Sequence, residues 1–472
     1  MTGLITNDFF SFAPVRQMSP ALGLLASRAR RLYTDLGLSP TGRRVVGGML
    51  WSVTGTGASR ATALLASIVV ARLLDKTRFG EFGIIQSTVG LFGVLAGMGL
   101  GTTASKYVAE FRSADRERAG RVVALSTLSS WMAGALMASA LLVFSSLIAT
   151  KALNAPWLHA QIKISSLLVL LEAVNGAQIG VLSGLESFRM IARINTMTGF
   201  LSFACLIAGA YFNGLPGAVW GLVASAAGAC LLSSHCIRHE LIRHGIAIDW
   251  RSSLGELPLL WQFSLPVTLV SLLVVAANWI GYSLLATSSH GYAALAEMTV
   301  AFQWRNFVML IPMLLAGVAI PMLSSLNGAK DRKVYRKLLL AQLAFVGCVA
   351  AVAMLGVTVF ARWIALSYGP SYVSAIPAIR WMALAGFLIA LNSVAASAMF
   401  SLGRAWLGLA LGALCGGMLI TVAWRLVPAA GAEGLSIAHV LAYVGYSICQ
   451  GMFLWNAFGE DVVVRSNELA NT

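Results

Sequence analysis

The chain has 472 residues, of which 58% are hydrophobic and only 11% charged, and its mean hydropathy is +0.80. A soluble domain carries about 25% charged residues to cover its surface, so lipid is the solvent expected for most of this one. The formal net charge of +15 would suit nucleic acid only as a soluble, groove-facing patch, and nucleic acid is not an expected partner.

The long low-charge windows exceed strand length and show no alternating ten-residue pattern, which argues for a helical bundle rather than a barrel. Residues 1–45 read as a basic, cytoplasmic N-terminal extension. Within it "ALGLLASRARRLY" is too short and too arginine-broken for a cleaved leader. Apolar windows follow near 46–72, 82–105, 122–149, 164–185, 194–212, 217–235, 261–286, 293–324, 338–361, 375–400, 405–426 and 435–458. Two of the cuts rest on short polar links, "FNGLPG" at 212–217 and "ATSSHG" at 286–291. The uncut stretches are roughly twice the ~20 residues a span needs. The fold expected is therefore all-α and polytopic, with twelve transmembrane helices. If both termini are cytoplasmic, 23 of the 33 Lys and Arg residues fall on the cytoplasmic side, the bias that orients membrane proteins.

The polar stretch 237–260 divides the spans into a six-helix lobe over 46–236 and a second over 261–459, with a short tail at 460–472. A faint repeat supports that division. "RLLDKTRFGEFG" (72–83) and "SLLATSSHGYAA" (283–294) align at an offset of 211 residues, which sets Gly80 opposite Gly291. Two pseudo-symmetric bundles with a cavity between them are the layout of an alternating-access transporter.

Ionisable groups at depth point to the cavity. "LWSVTGTGASRATALLASIVVARLL" (50–74) carries Arg60 near its middle, and each mid-bilayer arginine costs about 2.5–3.5 kcal/mol on insertion scales. Arg60, Arg305 and Arg380 are candidate cavity residues, with a structural carboxylate pair as the competing reading. Glu172 and Glu297 are candidates for ion coupling or for charge pairing. Asn175, Gln178, Asn278, Tyr282, Asn306 and Asn392 extend the candidate lining, although a buried amide also serves simply to tie helices together. More positive than negative charge at depth favours an anionic cargo, since the arginine fork suits phosphate oxygens. Gly55, Gly57, Pro266, Pro312 and Pro321 are hinge candidates, against a background in which both residue types are common in membrane helices.

No catalytic chemistry is legible. There is no phosphate-binding loop, the six histidines make no metal set, and the six cysteines read as small buried hydrophobes. No cofactor is expected, beyond coupling to a proton or sodium gradient.

The segment "GGMLWSVTGTGASRATALLASIVVARLLDKTRFGEFGIIQSTVGLFGVLAGMGLGTTASKYVAE" (47–110) resembles the opening of the Wzx-like polysaccharide biosynthesis flippases. They belong to the multidrug/oligosaccharidyl-lipid/polysaccharide (MOP) exporter superfamily. "GLESFRMIARIN" (184–195) and "FSLPV" (263–267) resemble their link between helices four and five and the start of their second half. The resemblance implies a bacterial inner-membrane protein of MATE-like fold. Its implied cargo is an undecaprenyl-diphosphate-linked sugar unit, moved to the periplasmic leaflet for exopolysaccharide, capsule or O-antigen synthesis. Arg60 and Arg305 would meet the diphosphate, and a polymerase and glycosyltransferases would be neighbours. Two other readings stay open: a cation-coupled drug antiporter of the same fold, whose relatives rely more on acidic cavities, and a non-transporting scaffold.

Overall fold

Asp75 and Asp115 each begin a helix. The computed structural model describes residues 40–257, 265–310, 312, 332–401 and 405–470. In it the Asp75 carboxylate accepts the Arg78 amide at 2.9 Å, and Asp115 accepts the Arg118 amide at 2.9 Å. These caps satisfy amides that a helix start leaves without partners.

The first half comprises α1 (Pro40–Leu73), α2 (Lys76–Gly97), α3 (Leu100–Ala114), α4 (Arg116–Leu147), α5 (His159–Gly184) and α6 (Phe188–His244). The second comprises α7 (Leu265–Thr287), α8 (Gly291–Val308), α9 (Arg332–Val359), the short α10 (Ala361–Tyr368), α11 (Ile376–Ser401) and α12 (Ala405–Ala470).

α6 and α12 are hairpins. A straight helix of the 57 residues of α6 would run roughly 85 Å, against a hydrocarbon core of about 30 Å. The chain reverses at Asn213 and Gly214, where φ is −139° and +56°. The two arms then close on small residues. A side chain at Gly209 would strike the Gly217 carbonyl, one at Gly221 the Cys205 carbonyl, and one at Gly228 the Leu201 side chain. The reversal falls inside the "FNGLPG" link. In α12 the turn is at Gly431, with φ +52°; Gly434 then lies against the Leu426 carbonyl and Gly445 against Met418. Among the described residues, seven helical stretches are long and apolar enough to cross a membrane, and the reversal of each hairpin falls within one of them.

Packing sorts the helices into two groups. α4 and α6 pack on α5, and α3 on both α4 and α5; in the other group α12 packs on α7 and α11, and α11 also on α8 and α9. α2 belongs to the first group by its contacts with α4 and α5, yet it also packs along α7 and α8. Ser52–Thr472 forms one compact unit, separate from Met1–Trp51, of which only the start of α1 is described. Pro321 lies outside the described residues, Pro312 is a lone described residue in the same stretch, and Pro266 stands in the first turn of α7 as described.

The loop after α6 docks back on the first half. The Asp249 carboxylate accepts the Ser252 and Arg251 amides at 3.2 and 3.0 Å. Hydrogen bonding to Ser252 first, then to Arg251, holds it below the usual aspartate range. Glu256, whose side chain is 10% exposed, pairs with Arg118 at 3.0 Å and Arg121 at 3.4 Å.

Candidate transport cavity and the seal at its far end

α2 packs on the second half near Gly80 and Gly83 and, toward its other end, lines a cavity shared with the start of α7. At the touching end glycines let the backbones meet. A side chain at Gly80 would collide with the Tyr292 carbonyl, and one at Gly83 with Thr299 Oγ1. Gly80 and Tyr292 belong to the two repeated segments, so the echoes in the sequence pack directly on each other.

Polar contacts close this end. Lys76 Nζ lies 2.6 Å from Glu297 Oε1, and it also donates to the Ser371 carbonyl at 2.9 Å and to Ser374 Oγ at 3.0 Å. Ser374 Oγ donates to the same carboxylate oxygen at 2.5 Å. The Lys76 and Glu297 side chains are 18% and 14% exposed, which places the pair between surface and core. Arg72 Nε donates to the Ser367 carbonyl at 2.6 Å. Beneath them Phe79, Tyr368 and Tyr372 form an aromatic cluster, and Trp279 Nε1 donates to Thr88 Oγ1 at 3.1 Å. Beside it, Trp157 donates to Glu81 at 2.6 Å and Tyr292 to the Leu153 carbonyl at 2.8 Å.

At the other end a cavity of about 480 Å³ opens between α2, α3, α5 and the start of α7. Its walls are narrow-waisted residues, including Gly90, Gly93, Gly97 and Gly176, together with Thr102, Thr268 and Ser271. Glu172 is the ionisable residue lining it, with a carboxylate oxygen 3.7 Å from where a Gly93 side chain would begin.

The other candidates are distributed differently. Arg60 is exposed on α1 and makes no hydrogen bond or ion pair among the described residues; Arg380 is exposed at the start of α11. Arg305 is 8% exposed, inside the second half: its Nη2 donates to Asn306 Oδ1 at 2.9 Å, and its guanidinium carbon lies 3.6 Å from the Phe302 ring centroid. The arginines therefore do not line the cavity just described, and the ionisable group in its lining is a carboxyl where the sequence favoured positive charge. Counting charges by depth cannot tell which face of a uniformly apolar helix carries them.

The amides tie helices. Asn175 accepts from Ser233 at 3.0 Å and Gln178 donates to Ser234 at 2.8 Å, which fastens α5 to α6. Asn392 donates to the Tyr443 carbonyl at 3.4 Å and accepts from Ser447 at 2.9 Å, which fastens α11 to α12. Tyr282 is buried with its ring edge-on to Phe302. Asn278 meets His439 of α12, a residue without any distinguishing local motif. Gly55 packs against Ala192 of α6, whereas the Gly57 side faces open space. Among the cysteines Cys230 and Cys236 are buried but Cys348 is exposed, contrary to a uniformly buried set. Among the described residues no group of three His, Cys, Asp or Glu residues could hold a metal.

Two helix groups bridged by a central helix, with seven stretches long and apolar enough to cross a membrane among the described residues, describe a multi-pass membrane protein. The chain belongs to the family described as polysaccharide biosynthesis protein, matched over residues 45–327. It is 24% identical over 412 residues to the EPS I polysaccharide export inner membrane protein EpsE of Ralstonia nicotianae, covering 86% of this chain and 94% of that one. The EpsE of Ralstonia solanacearum is 24% identical over 397 residues, covering 83% and 90%. Among solved structures, the fold is similar to an inward-facing multidrug resistance MATE family transporter, with TM-score 0.73 and 17% identity over 86% of this chain and 96% of that one. An outward-facing conformation of a MATE family transporter gives 0.68, at 17% identity, over 89% and 96%. A MOP superfamily transporter from Pyrococcus furiosus also gives 0.68, at 17% identity, over 88% and 95%.

Proposed function

We propose that this protein is a flippase that carries an undecaprenyl-diphosphate-linked oligosaccharide unit across the bacterial inner membrane, for export into an extracellular or surface polysaccharide. The reading rests on family membership and on likeness to the EpsE proteins along most of the chain. One structural observation carries the mechanism: a cavity open at the Gly97–Thr102 end of α2 and closed at the Lys76–Glu297 end. Lys106 and Arg112 follow the open end, which by the charge bias is the cytoplasmic side.

In this reading the chain has twelve spans in two six-helix lobes, over 46–236 and 261–459, with both termini inside. The sugar headgroup enters the cavity while the prenyl tail stays in lipid. Glu172 and the hydroxyls of Thr102, Thr268 and Ser271 meet sugar hydroxyls, and the glycine walls let a sugar ring approach the backbone. Arg60, exposed on α1 outside that cavity's lining and unpaired among the described residues, is assigned the diphosphate. Breaking the Lys76–Glu297 seal then opens the periplasmic side while the cavity mouth closes. A polymerase and glycosyltransferases act before and after it.

The test is reconstitution in proteoliposomes with a fluorescent lipid-linked oligosaccharide. Arg60→Ala is expected to lower headgroup translocation tenfold or more at equal protein levels, about 1.4 kcal/mol, and Arg60→Lys to lower it less. Unchanged translocation in Arg60→Ala removes its assigned role.

One observation favours a second reading: the ionisable group lining the cavity is a carboxylate, which suits a cation-coupled antiporter for small organic cations. Gradient-driven efflux of such a cation, abolished by Glu172→Gln, together with an absence of lipid-linked sugar transport, selects that reading.

A further inference from the structure

The interior of the second half holds a histidine with an unusual pair of neighbours. His439 has no exposed surface. Its Nδ1 lies 2.9 Å from the Leu435 carbonyl oxygen, and its Nε2 lies 3.0 Å from Asn278 Oδ1. The orientation of Asn278 is fixed independently, because its Nδ2 donates to the Val274 carbonyl at 2.7 Å. Both ring nitrogens therefore face acceptors. A neutral imidazole can donate from only one nitrogen and turns the lone pair of the other toward an oxygen; an imidazolium donates from both. The surrounding oxygens are arranged for the protonated ring.

Opposing influences are also built in. Burial disfavours any charge, and the Arg305 guanidinium of α8 acts electrostatically on the ring. Its Nε is buried without a partner, and among the described residues no carboxylate pairs with Arg305 or His439. The other titratable groups facing this interior are Tyr282 of α7, Tyr443 on the same arm of α12 and Cys415 on the opposite arm. α11 contributes the neutral Asn392. Whether a proton resides on His439 is thus decided by where the Arg305 charge stands and by access to water.

A polar helix face leads from the cavity toward the ring. Thr268 and Ser271 of α7 line the cavity, and Asn278 lies two turns beyond Ser271 on the same helix face, about 10 Å along the axis. Asn278 is half-buried, so it joins that polar face to the buried ring.

We propose that His439 is a proton-binding site within the second half, loaded and unloaded through Asn278 from the cavity side. The site itself requires no cargo; its use in driving translocation rests on the flippase reading above. Arg305 links the two, since displacing that guanidinium takes a positive charge away from the ring.

The full chain in lipid nanodiscs, with its histidine rings labelled with 15N, tests the site without cargo. The chain has six histidines, and the resonances lost in His439→Gln are those of His439. On lowering the pH from about 8 to about 4, past the range of an ordinary histidine, they are expected to pass from one neutral tautomer to the doubly protonated form. Resonances that remain in one neutral tautomer throughout overturn the proposal. Asn278→Leu, which leaves the histidine in place, is expected to lower the midpoint by at least about one pH unit, a tenfold loss of proton affinity; an unmoved midpoint equally overturns it. In proteoliposomes, an imposed pH gradient is expected to accelerate cargo transport about tenfold, and His439→Gln to abolish that acceleration. If His439 titrates but no lipid-linked sugar moves under any gradient, the flippase reading fails and the proton site stands.

Discussion

Lys76 and Glu297, 221 residues apart in sequence, meet at 2.6 Å and join the first half of the chain to the second at the end where the cavity is closed. The same carboxylate accepts Ser374 and the same ammonium donates to the Ser371 carbonyl. The contact is thus a small network rather than a lone surface ion pair, whose worth would be slight.

Removing one partner is expected to shift the protein toward a state open at this end. Hydrogen bonds to charged groups contribute about 1.5–3 kcal/mol, so Lys76→Ala or Glu297→Gln should shift the equilibrium between states roughly tenfold or more. Maleimide labelling of a single cysteine at Tyr372, buried under the network, reads the shift as a faster rate. The exchanged pair Lys76→Glu with Glu297→Lys should slow labelling only in part, because a carboxylate at 76 cannot donate to the Ser371 carbonyl.

Gly80 should tolerate no side chain while this end is closed. Because the obstacle is the Tyr292 backbone carbonyl, neighbouring rotamers cannot relieve the clash. Gly80→Val is expected to raise labelling at Tyr372→Cys further than loss of the ion pair does. It should reduce transport while the protein still migrates as a folded species in size-exclusion chromatography. Gly57→Ala, whose Cβ meets nothing within 4 Å, serves as the control.

Arg305 separates stability from charge. A buried guanidinium without a carboxylate costs desolvation that a hydrophobic residue of similar length avoids. Arg305→Met is therefore expected to match or exceed the wild type in thermal unfolding in detergent. Arg305→Ala, which leaves a void beside Phe302 and Gly386, should lie about 2–3 kcal/mol below it.

Glu256 should govern the loop between the halves. Glu256→Ala leaves Arg118 and Arg121 without the carboxylate that both contact and frees the loop from α4. Limited proteolysis within 246–257 is expected to accelerate several-fold, with the helical circular dichroism unchanged.

The sequence made the chain's reversals legible but not its contacts. "FNGLPG" held the turn at Asn213–Gly214 because a glycine in the left-handed region and a proline mark a reversal wherever it occurs. "ATSSHG" likewise ends at Gly291, which has φ +60° just where α8 begins. Which side of a helix faces a neighbour was hidden, because lipid-facing and protein-facing residues are equally apolar and leave no stripe to read. That is why Glu297, placed at depth by counting, lies at the seal, and why Asn175 and Gln178 turn toward α6 while Glu172, on the same helix, faces the cavity. His439 escaped notice altogether: its partner Asn278 is 161 residues away, and no local spacing announces it.

Met98 and Gly99, between α2 and α3, both take left-handed backbone, with φ 40° and 62°. Methionine rarely does so, and the pair interrupts what would otherwise be one rod running from the ion pair to the basic rim. Such a rod would transmit every tilt along its length. With an articulation two residues long, the axes of α2 and α3 are set separately, so a change in packing at Lys76 need not be carried to the other end as by one lever.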